Sequence, residues 1–229
     1  MSDNVSLVGG LGFLGSRLAK RLSLSKTNFK ILDLDVKYEE GNLFHANIEN
    51  PETLVNLNGT SAIIHLAAVH RDDIRPISRY DDVNVAGTLN ICDAADQYDI
   101  KKIIFTSSVA VYGFANPGTD EEGDPNFFND YGRTKYEAEK VLVNWQKKEP
   151  LTRTLVIVRP TVIFGEGNRG NVFNLLHQVA KKRFIMIGNG KNKKSMAYVE
   201  NVAAFLEHSI GSSSKIKYSK KKLNEIKAF

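Results

Sequence analysis

Short apolar runs alternate along the chain with longer stretches of helical spacing. Apolar runs near residues 5–8, 29–33, 62–66, 102–107, 154–158 and 184–187, with a shorter one at 43–45, predict strands. Apolar positions recurring every three or four residues predict helices near 13–24, 51–57, 80–98, 130–148, 170–181 and 198–210. Leu14, Leu18 and Leu22 mark the face of the first. Such alternation predicts an α/β fold: a doubly wound parallel sheet with helices on both faces. No internal repeat is visible, and Gly, Pro, Asn and Asp concentrate in two expected loops, 113–130 and 188–194.

Ligands of a doubly wound sheet sit beyond the carboxyl ends of its strands, so the residues there carry the chemistry. The first strand runs straight into Gly9-Gly10-Leu11-Gly12-Phe13-Leu14-Gly15 and then a helix. Strand, glycine turn and helix together make a phosphate-binding pattern. Gly9 allows the tight turn, Gly12 lets backbone approach a pyrophosphate, and Gly15 lets the helix lie close to the sheet. The helix N-terminus then offers its N–H groups to the anion. The second strand ends in Asp33, 24 residues after Gly9, placed to accept hydrogen bonds from an adenosine ribose. A carboxylate there repels a 2′-phosphate and favours NAD over NADP; Asp35 reads as a solvated loop acid.

The strand at 62–66 leads into His65-Leu66-Ala67-Ala68, whose small residues would admit a cofactor's backbone-close approach. A polar cluster at 70–75 follows, facing either substrate or solvent. Past the strand at 102–107 come Ser108 and then Tyr131 and Lys135, four apart and hence on one helix face. A phenol near pKa ~10 is a poor base at neutral pH, and a neighbouring ammonium favours its ionised form. Ser108 could orient the same substrate oxygen.

Composition narrows the function classes. With 229 residues and 42% hydrophobic content, the chain suits one α/β domain, alone or with a small appendage. The net charge of +5 resides in residues 211–229, where six lysines face only Glu225. The basic character therefore reads as a solvated tail, which argues against nucleic acid as a partner. The lone Cys92 excludes disulfides within one chain and fits a reducing cytoplasm. The five histidines show no metal-ligand spacing, no leader precedes the first strand, and no run has the length to span a bilayer, so neither metal nor membrane is expected.

Taken together these residues resemble the extended short-chain dehydrogenase/reductase superfamily, in its NAD-dependent nucleotide-sugar epimerase/dehydratase branch. The resemblance runs from about residue 4 to 210, through the glycine turn, Asp33, His65-Leu66-Ala67-Ala68, Asn84-Val85-Ala86-Gly87-Thr88, Thr106-Ser107-Ser108, Tyr131-x-x-x-Lys135, Arg159-Pro160 and Tyr198-Val199-Glu200-Asn201-Val202-Ala203. It implies an NAD-binding Rossmann domain over 1–165 and a partial, apparently truncated substrate-binding part with a basic tail over 166–229. Implied cofactor contacts are Gly9, Gly12, Phe13, Leu14, Gly15 and Asp33, then Asn47 and Ile48 at the adenine, with Leu66, Ala67, Ala68, Tyr131, Lys135 and Pro160. Implied catalytic residues are Ser108, Tyr131 and Lys135, with Tyr131 as acid/base on a sugar hydroxyl. Val162, Asn171 and Lys194 join Ser108 and Tyr131 as implied substrate contacts. A homodimer through the helices at 80–98 and 130–148 is implied as well.

Departures from the family pattern narrow the reaction. Val109 and Ala110 stand where 4,6-dehydratases carry an acidic pair, so dehydration is disfavoured. Asn47 replaces the usual acid, and Val162 stands where epimerases often place Asn. Lys194 takes the place of a diphosphate-binding Arg, keeping its charge without the fork. The expectation is an NAD-dependent nucleotide-sugar 4-epimerase of surface polysaccharide synthesis, on a UDP-hexose or UDP-N-acetylhexosamine. A 4-keto reductase is the alternative, and an impaired nucleotide-binding protein lacking its C-terminal region the second. The family match dissolves at 211–214, which implies a chain that is naturally short or cut short.

Overall fold

A computed structural model describes residues 4–71, 73–116, 118–168, 170–186, 188–191, 193–211 and 216–218. Strands β1 (Asn4–Val8), β2 (Asn28–Asp33), β3 (Leu43–His45), β4 (Ala62–His65), β5 (Lys102–Thr106), β6 (Thr154–Val158) and β9 (Ile216–Tyr218) form one sheet. Its order is β3-β2-β1-β4-β5-β6-β9 and every pair is parallel. The order reverses between β1 and β4, which opens a crevice at their carboxyl ends. This is a Rossmann-like, doubly wound α/β fold.

Alternation along each strand sorts the core into two layers. Ile63, Ile103, Phe105, Leu155 and Ile157 face α3 (Gly87–Gln97) and α4 (Asp130–Lys148), meeting Ile91, Ala138, Leu142 and Trp145. Val5, Leu7, Ile64, Ile104, Val156 and Val158 face the other way, meeting Leu18 and Leu22 of α1 (Phe13–Leu24) and Ala203, Phe205 and Leu206 of α6 (Val199–Ile210). Strands buried on both faces are the rule in a parallel sheet, and the short apolar runs of the sequence reflect it.

Five features depart from expectation. Pro51–Leu57 is a 3-10 helix, because its buried Leu54 and Leu57 stand three apart, the spacing of three residues per turn. The helix expected over 80–98 begins as α2 (Ser78–Tyr80), widens into a π turn at Asp81–Ala86 and continues as α3. The strand expected at 184–187 is absent from the described residues. Phe184, Ile185 and Met186 are irregular and exposed, Ile187 lies outside the described residues, and the sheet edge beside β6 is taken by β9. β9 itself lies in the stretch read as a tail. A separate two-stranded parallel sheet, β7 (Val162–Phe164) with β8 (Met196–Tyr198), was not expected from the sequence.

One buried ion pair ties α4 to the chain just past β6. Arg159, just past β6, donates from Nε to Glu139 Oε1 at 2.9 Å, with side chains 10% and 3% exposed. Its Nη1 donates to the Tyr112 hydroxyl and, at 3.1 Å, to the Glu121 carbonyl. Removing one partner of a buried pair strands the other charge. Glu139→Ala should therefore lower the unfolding free energy by about 3–5 kcal/mol in urea titration. The double variant Glu139→Leu, Arg159→Met should recover most of it.

Candidate active site

The carboxyl ends of β1, β2, β4, β5 and β6 surround a cleft of about 750 Å³. Its floor begins at the glycine turn, where three glycines have three different reasons. Gly9 takes φ +82°, and a Cβ there would meet the Ala67 amide nitrogen at 2.5 Å. A Cβ on Gly15 would meet the Gly10 carbonyl oxygen at 2.5 Å, so these two serve the protein's own packing. Gly12 has room within the protein, its nearest neighbour being the Gly9 carbonyl at 3.4 Å, and it lines the cleft. A side chain there would occupy ligand space instead. Gly12 is also the N-cap of α1 without a side-chain cap, and the first turn of α1 has no acid. The end of the helix therefore presents a positive field to the cleft.

Asp33 stands at the rim and is held by two backbone amides. Leu11 N–H donates to Oδ2 at 2.9 Å and Asp35 N–H to Oδ1 at 3.0 Å. The carboxylate thus fixes the glycine turn and keeps lone pairs for a ligand. Asp35, read as a loop acid, is exposed and also lines the cleft. Ile48 is buried against Gly87, where a Cβ would meet its Cδ1 at 2.6 Å. Asn47 accepts the Glu49 N–H at 3.0 Å through Oδ1.

Ser108, Tyr131 and Lys135 all line the cleft, and the first two are hydrogen-bonded. Ser108 caps the 3-10 turn Val109–Tyr112 by accepting the Ala110 N–H at 3.1 Å, and hydrogen-bonds the Tyr131 hydroxyl. α4 reaches this turn because Gly132 has no side chain: a Cβ there would meet the Ala110 carbonyl at 2.4 Å. Asn129 caps α4 by accepting the Gly132 N–H at 2.9 Å. Burial raises the Tyr131 phenol above its ordinary pKa, and the Ser108 hydrogen bond works against that. Lys135 is 2% exposed, its Nζ 4.0 Å from the centre of the Phe105 ring. Burial pushes its ammonium down to about 7, with Glu139 opposing. A lysine poised there can change charge near neutrality.

Beneath it His65 is fully buried. Thr88 donates its one hydroxyl proton to the Asn84 carbonyl at 2.6 Å, so His65 Nε2 must be the donor to Thr88 at 3.1 Å. Nδ1 is left an acceptor without a partner among the described residues. Burial, then Lys135, push this imidazole down to about 3, so it is neutral. Asn84, on the π turn, pairs with both Val69 N–H at 2.8 Å and Val69 C=O at 3.0 Å, and donates to Thr134 at 3.0 Å. One amide thus fastens the cleft wall to α4, one residue from Lys135.

The cleft gathers Gly9, Gly12, Phe13, Leu14, Gly15, Asp33, Asn47, Ile48, Leu66, Ala67, Ala68, Ser108, Tyr131, Lys135, Pro160, Val162 and Asn171. Lys194 does not join them; it is exposed, in irregular chain leading to β8, outside the lining. Sequence reasoning overlooked Thr106 and Ser107, whose buried hydroxyls line the floor without partners among the described residues. Their place at a strand's carboxyl end was the available signal. It also overlooked Arg79, on the rim and bound through both Nη atoms to Glu49. Open space over Gly12, the uncapped helix end, the fixed Asp33 and two unpartnered hydroxyls together fit a dinucleotide.

The model of the NAD dependent epimerase/dehydratase family matches residues 5–218. An N-acetyl-alpha-D-glucosaminyl-diphospho-ditrans,octacis-undecaprenol 4-epimerase of Escherichia coli O157:H7 is 45% identical over 92% of this chain and 64% of its own. A UDP-glucose 4-epimerase of Vibrio cholerae is 31% identical over 88% of this chain and 65% of its own. The chain thus spans somewhat under two thirds of these relatives. The Thermus thermophilus UDP-glucose 4-epimerase in complex with NAD shares the fold, with TM-score 0.80 and 21% identity over 94% of this chain and 76% of its own.

The glycines and the lysine generate two expectations. Gly15→Ala should cost about 1–3 kcal/mol in thermal unfolding. Gly12→Ala should stay within about 1 kcal/mol of the parent yet weaken dinucleotide binding in a fluorescence titration. Lys135 binds its proton less tightly folded than unfolded, so its contribution to stability rises with pH between about 7 and its ordinary value of 10.5. Lys135→Met should therefore stabilise the ligand-free protein most below pH ~7 and progressively less toward pH ~10 in parallel urea titrations.

Proposed function

The chain belongs to the NAD dependent epimerase/dehydratase family, and from that premise we propose that it is an NAD-dependent 4-epimerase of a nucleotide-linked hexose, serving surface polysaccharide synthesis. The observation that carries this reading is Ser108, Tyr131 and Lys135 lining one cleft with the glycine turn and Asp33. Gly12 and the α1 N-terminus would hold the pyrophosphate, Asp33 the adenosine ribose, Asn47 and Ile48 the adenine, and Lys135 the nicotinamide ribose. Bound NAD supplies a hydride acceptor that can later return the hydride.

The residues themselves handle the proton. Tyr131 takes it from the C4 hydroxyl as the C4–H bond gives up its hydride, leaving a 4-keto sugar. Ser108 holds the same oxygen through both half-reactions. After the keto sugar turns over and C4 regains hydride on its other face, Tyr131 returns the proton. A raised phenol pKa opposes the first step. An ammonium at Lys135 would offset it, which ties the reaction to the protonation of that lysine. Val109 and Ala110 offer no proton donor for dehydration. Val162 on the cleft wall favours, as second reading, a one-way 4-keto reductase.

The diphosphate would lie toward Asn171, within a partial substrate-binding region over 166–229. The group that carries the sugar is UDP in the name of the Vibrio cholerae relative and diphospho-undecaprenol in that of the Escherichia coli relative. A cytoplasmic homodimer through α3 and α4 completes the reading; among the described residues no helix is long and apolar enough to cross a membrane.

Denaturing the purified protein should release near-stoichiometric NAD. Tyr131→Phe should release the same amount while losing about 10²–10⁴ in turnover on UDP-N-acetylglucosamine. Unchanged turnover in that variant would remove the proposed acid/base, and sedimentation velocity of the same preparation tests the dimer.

A further inference from the structure

Among the described residues two lysine or arginine side chains line the cleft, Lys135 and Arg79, and only Lys135 has a part in the chemistry proposed above. Asn168, and Asn171 where α5 (Asn171–Ala180) begins, are neutral. Arg79 lies in α2 and reaches the stretch assigned to the adenine. Both of its Nη atoms donate to Glu49, Nη2 to Oε2 at 2.9 Å and Nη1 to Oε1. Glu49 follows Asn47 and Ile48 directly and lines the cleft with them, as do Arg79 and Val83. The pair thus joins chain that follows β3 to chain that follows β4, two strands separated in the sheet by β2 and β1.

The fold does not need this ion pair to hold the adenine stretch in place. The Thr53 hydroxyl accepts the Asn47 N–H at 2.8 Å, Asn90 donates to the Ile48 carbonyl at 2.8 Å, and Asn47 Oδ1 accepts the Glu49 N–H at 3.0 Å. Residues 47–49 are therefore each fastened without Arg79. The side chains of Arg79 and Glu49 are 38% and 25% exposed, and an ion pair that open to water adds little stability. What the pair does fix is orientation. A two-pronged contact sets the plane of the guanidinium, and a guanidinium plane stacks on an aromatic ring. A base seated at Asn47 and Ile48 is such a ring. Because Glu49 cancels the charge of Arg79, the guanidinium face suits an uncharged base better than a phosphate.

We propose that Arg79, oriented by Glu49, is a clasp on the adenine of NAD and keeps the dinucleotide in the cleft from one turnover to the next. The clasp rests on the reading of the cleft as a dinucleotide site, and it names the residues that govern how slowly the cofactor leaves. Arg79 would touch the adenine, and Glu49 acts through Arg79 as a positioning residue. A cofactor that takes a hydride and gives it back has no need to exchange, so slow departure fits the epimerase better than the reductase.

The test follows the loss of NAD from the full chain after rapid desalting, in the native protein, in Arg79→Ala, in Glu49→Ala and in the double variant. The native chain should keep its NAD, and each single variant should release it about tenfold faster or more. The double variant should release it no faster than Arg79→Ala, because the two side chains act as one unit. Arg79→Lys, which keeps the charge without the plane, should also release it faster. Thermal unfolding of the ligand-free proteins should not change. Nicotinamide mononucleotide, which lacks the adenosine half, should bind native and variant proteins alike. Arg79→Ala or Arg79→Lys holding NAD as long as the native chain overturns the clasp. So do losses that multiply in the double variant, or a matching loss of affinity for nicotinamide mononucleotide. A native chain that binds no NAD at all overturns the dinucleotide reading itself, and the clasp with it.

Discussion

Every feature of the cleft depends on a sheet whose strands are all parallel and buried on both faces. Parallel pairing sends each chain crossing over a face and brings all carboxyl ends to one edge. The glycine turn after β1, Asp33 at the end of β2, Ala67 after β4, Ser108 after β5 and Pro160 after β6 are scattered over the sequence, yet that single constraint delivers them to one crevice. Period-two alternation of Ile63, Ile64, Ile103, Ile104, Leu155 and Val156 between two cores is what makes the sheet obligatory, because neither face can be left to water.

Within that frame, distances are set by missing side chains. Gly15 allows the first turn of α1 to touch the Gly10 carbonyl, and Gly132 allows α4 to touch the Ala110 carbonyl. The first contact shapes the glycine turn and the second brings Tyr131 to Ser108. Substitution at either would act through geometry, since the obstructing atoms are backbone and cannot swing aside. Gly12 differs in kind: the fold would tolerate its side chain, and only a ligand has reason to exclude it.

Charge is arranged with the same economy. Two cations are buried near the cleft, and their fates differ. Arg159 is matched by Glu139 and stays charged, holding the loop that carries Tyr112 and Glu121. Lys135 meets a ring face, and burial brings its pKa near neutrality. The neutral His65 below adds no competing charge, and its Nδ1 remains without a partner among the described residues. The lysine is thereby left responsive to whatever negative or positive charge a ligand brings.

Local pattern alone determined the strand-helix alternation, the glycine turn, Asp33 and the Tyr131–Lys135 spacing, because periodicity and i, i+4 geometry are properties of a few consecutive residues. Tertiary structure decided the rest. Residues 184–186 have strand-like composition yet join neither sheet, and residues 216–218, read as tail, took the edge beside β6. Pro51–Leu57 wound as a 3-10 helix because the core accepts Leu54 and Leu57 on one line. Lys194 was matched by position yet stands outside the cleft, since the chain before β8 does not turn inward. Asn84 clasping Val69 and Thr134, the proton on His65 Nε2 and the unpartnered hydroxyls of Thr106 and Ser107 depend on contacts across tens of residues. A linear sequence states which groups are available; only packing states which of them meet, because burial and backbone contact are fixed by chain segments far apart in order.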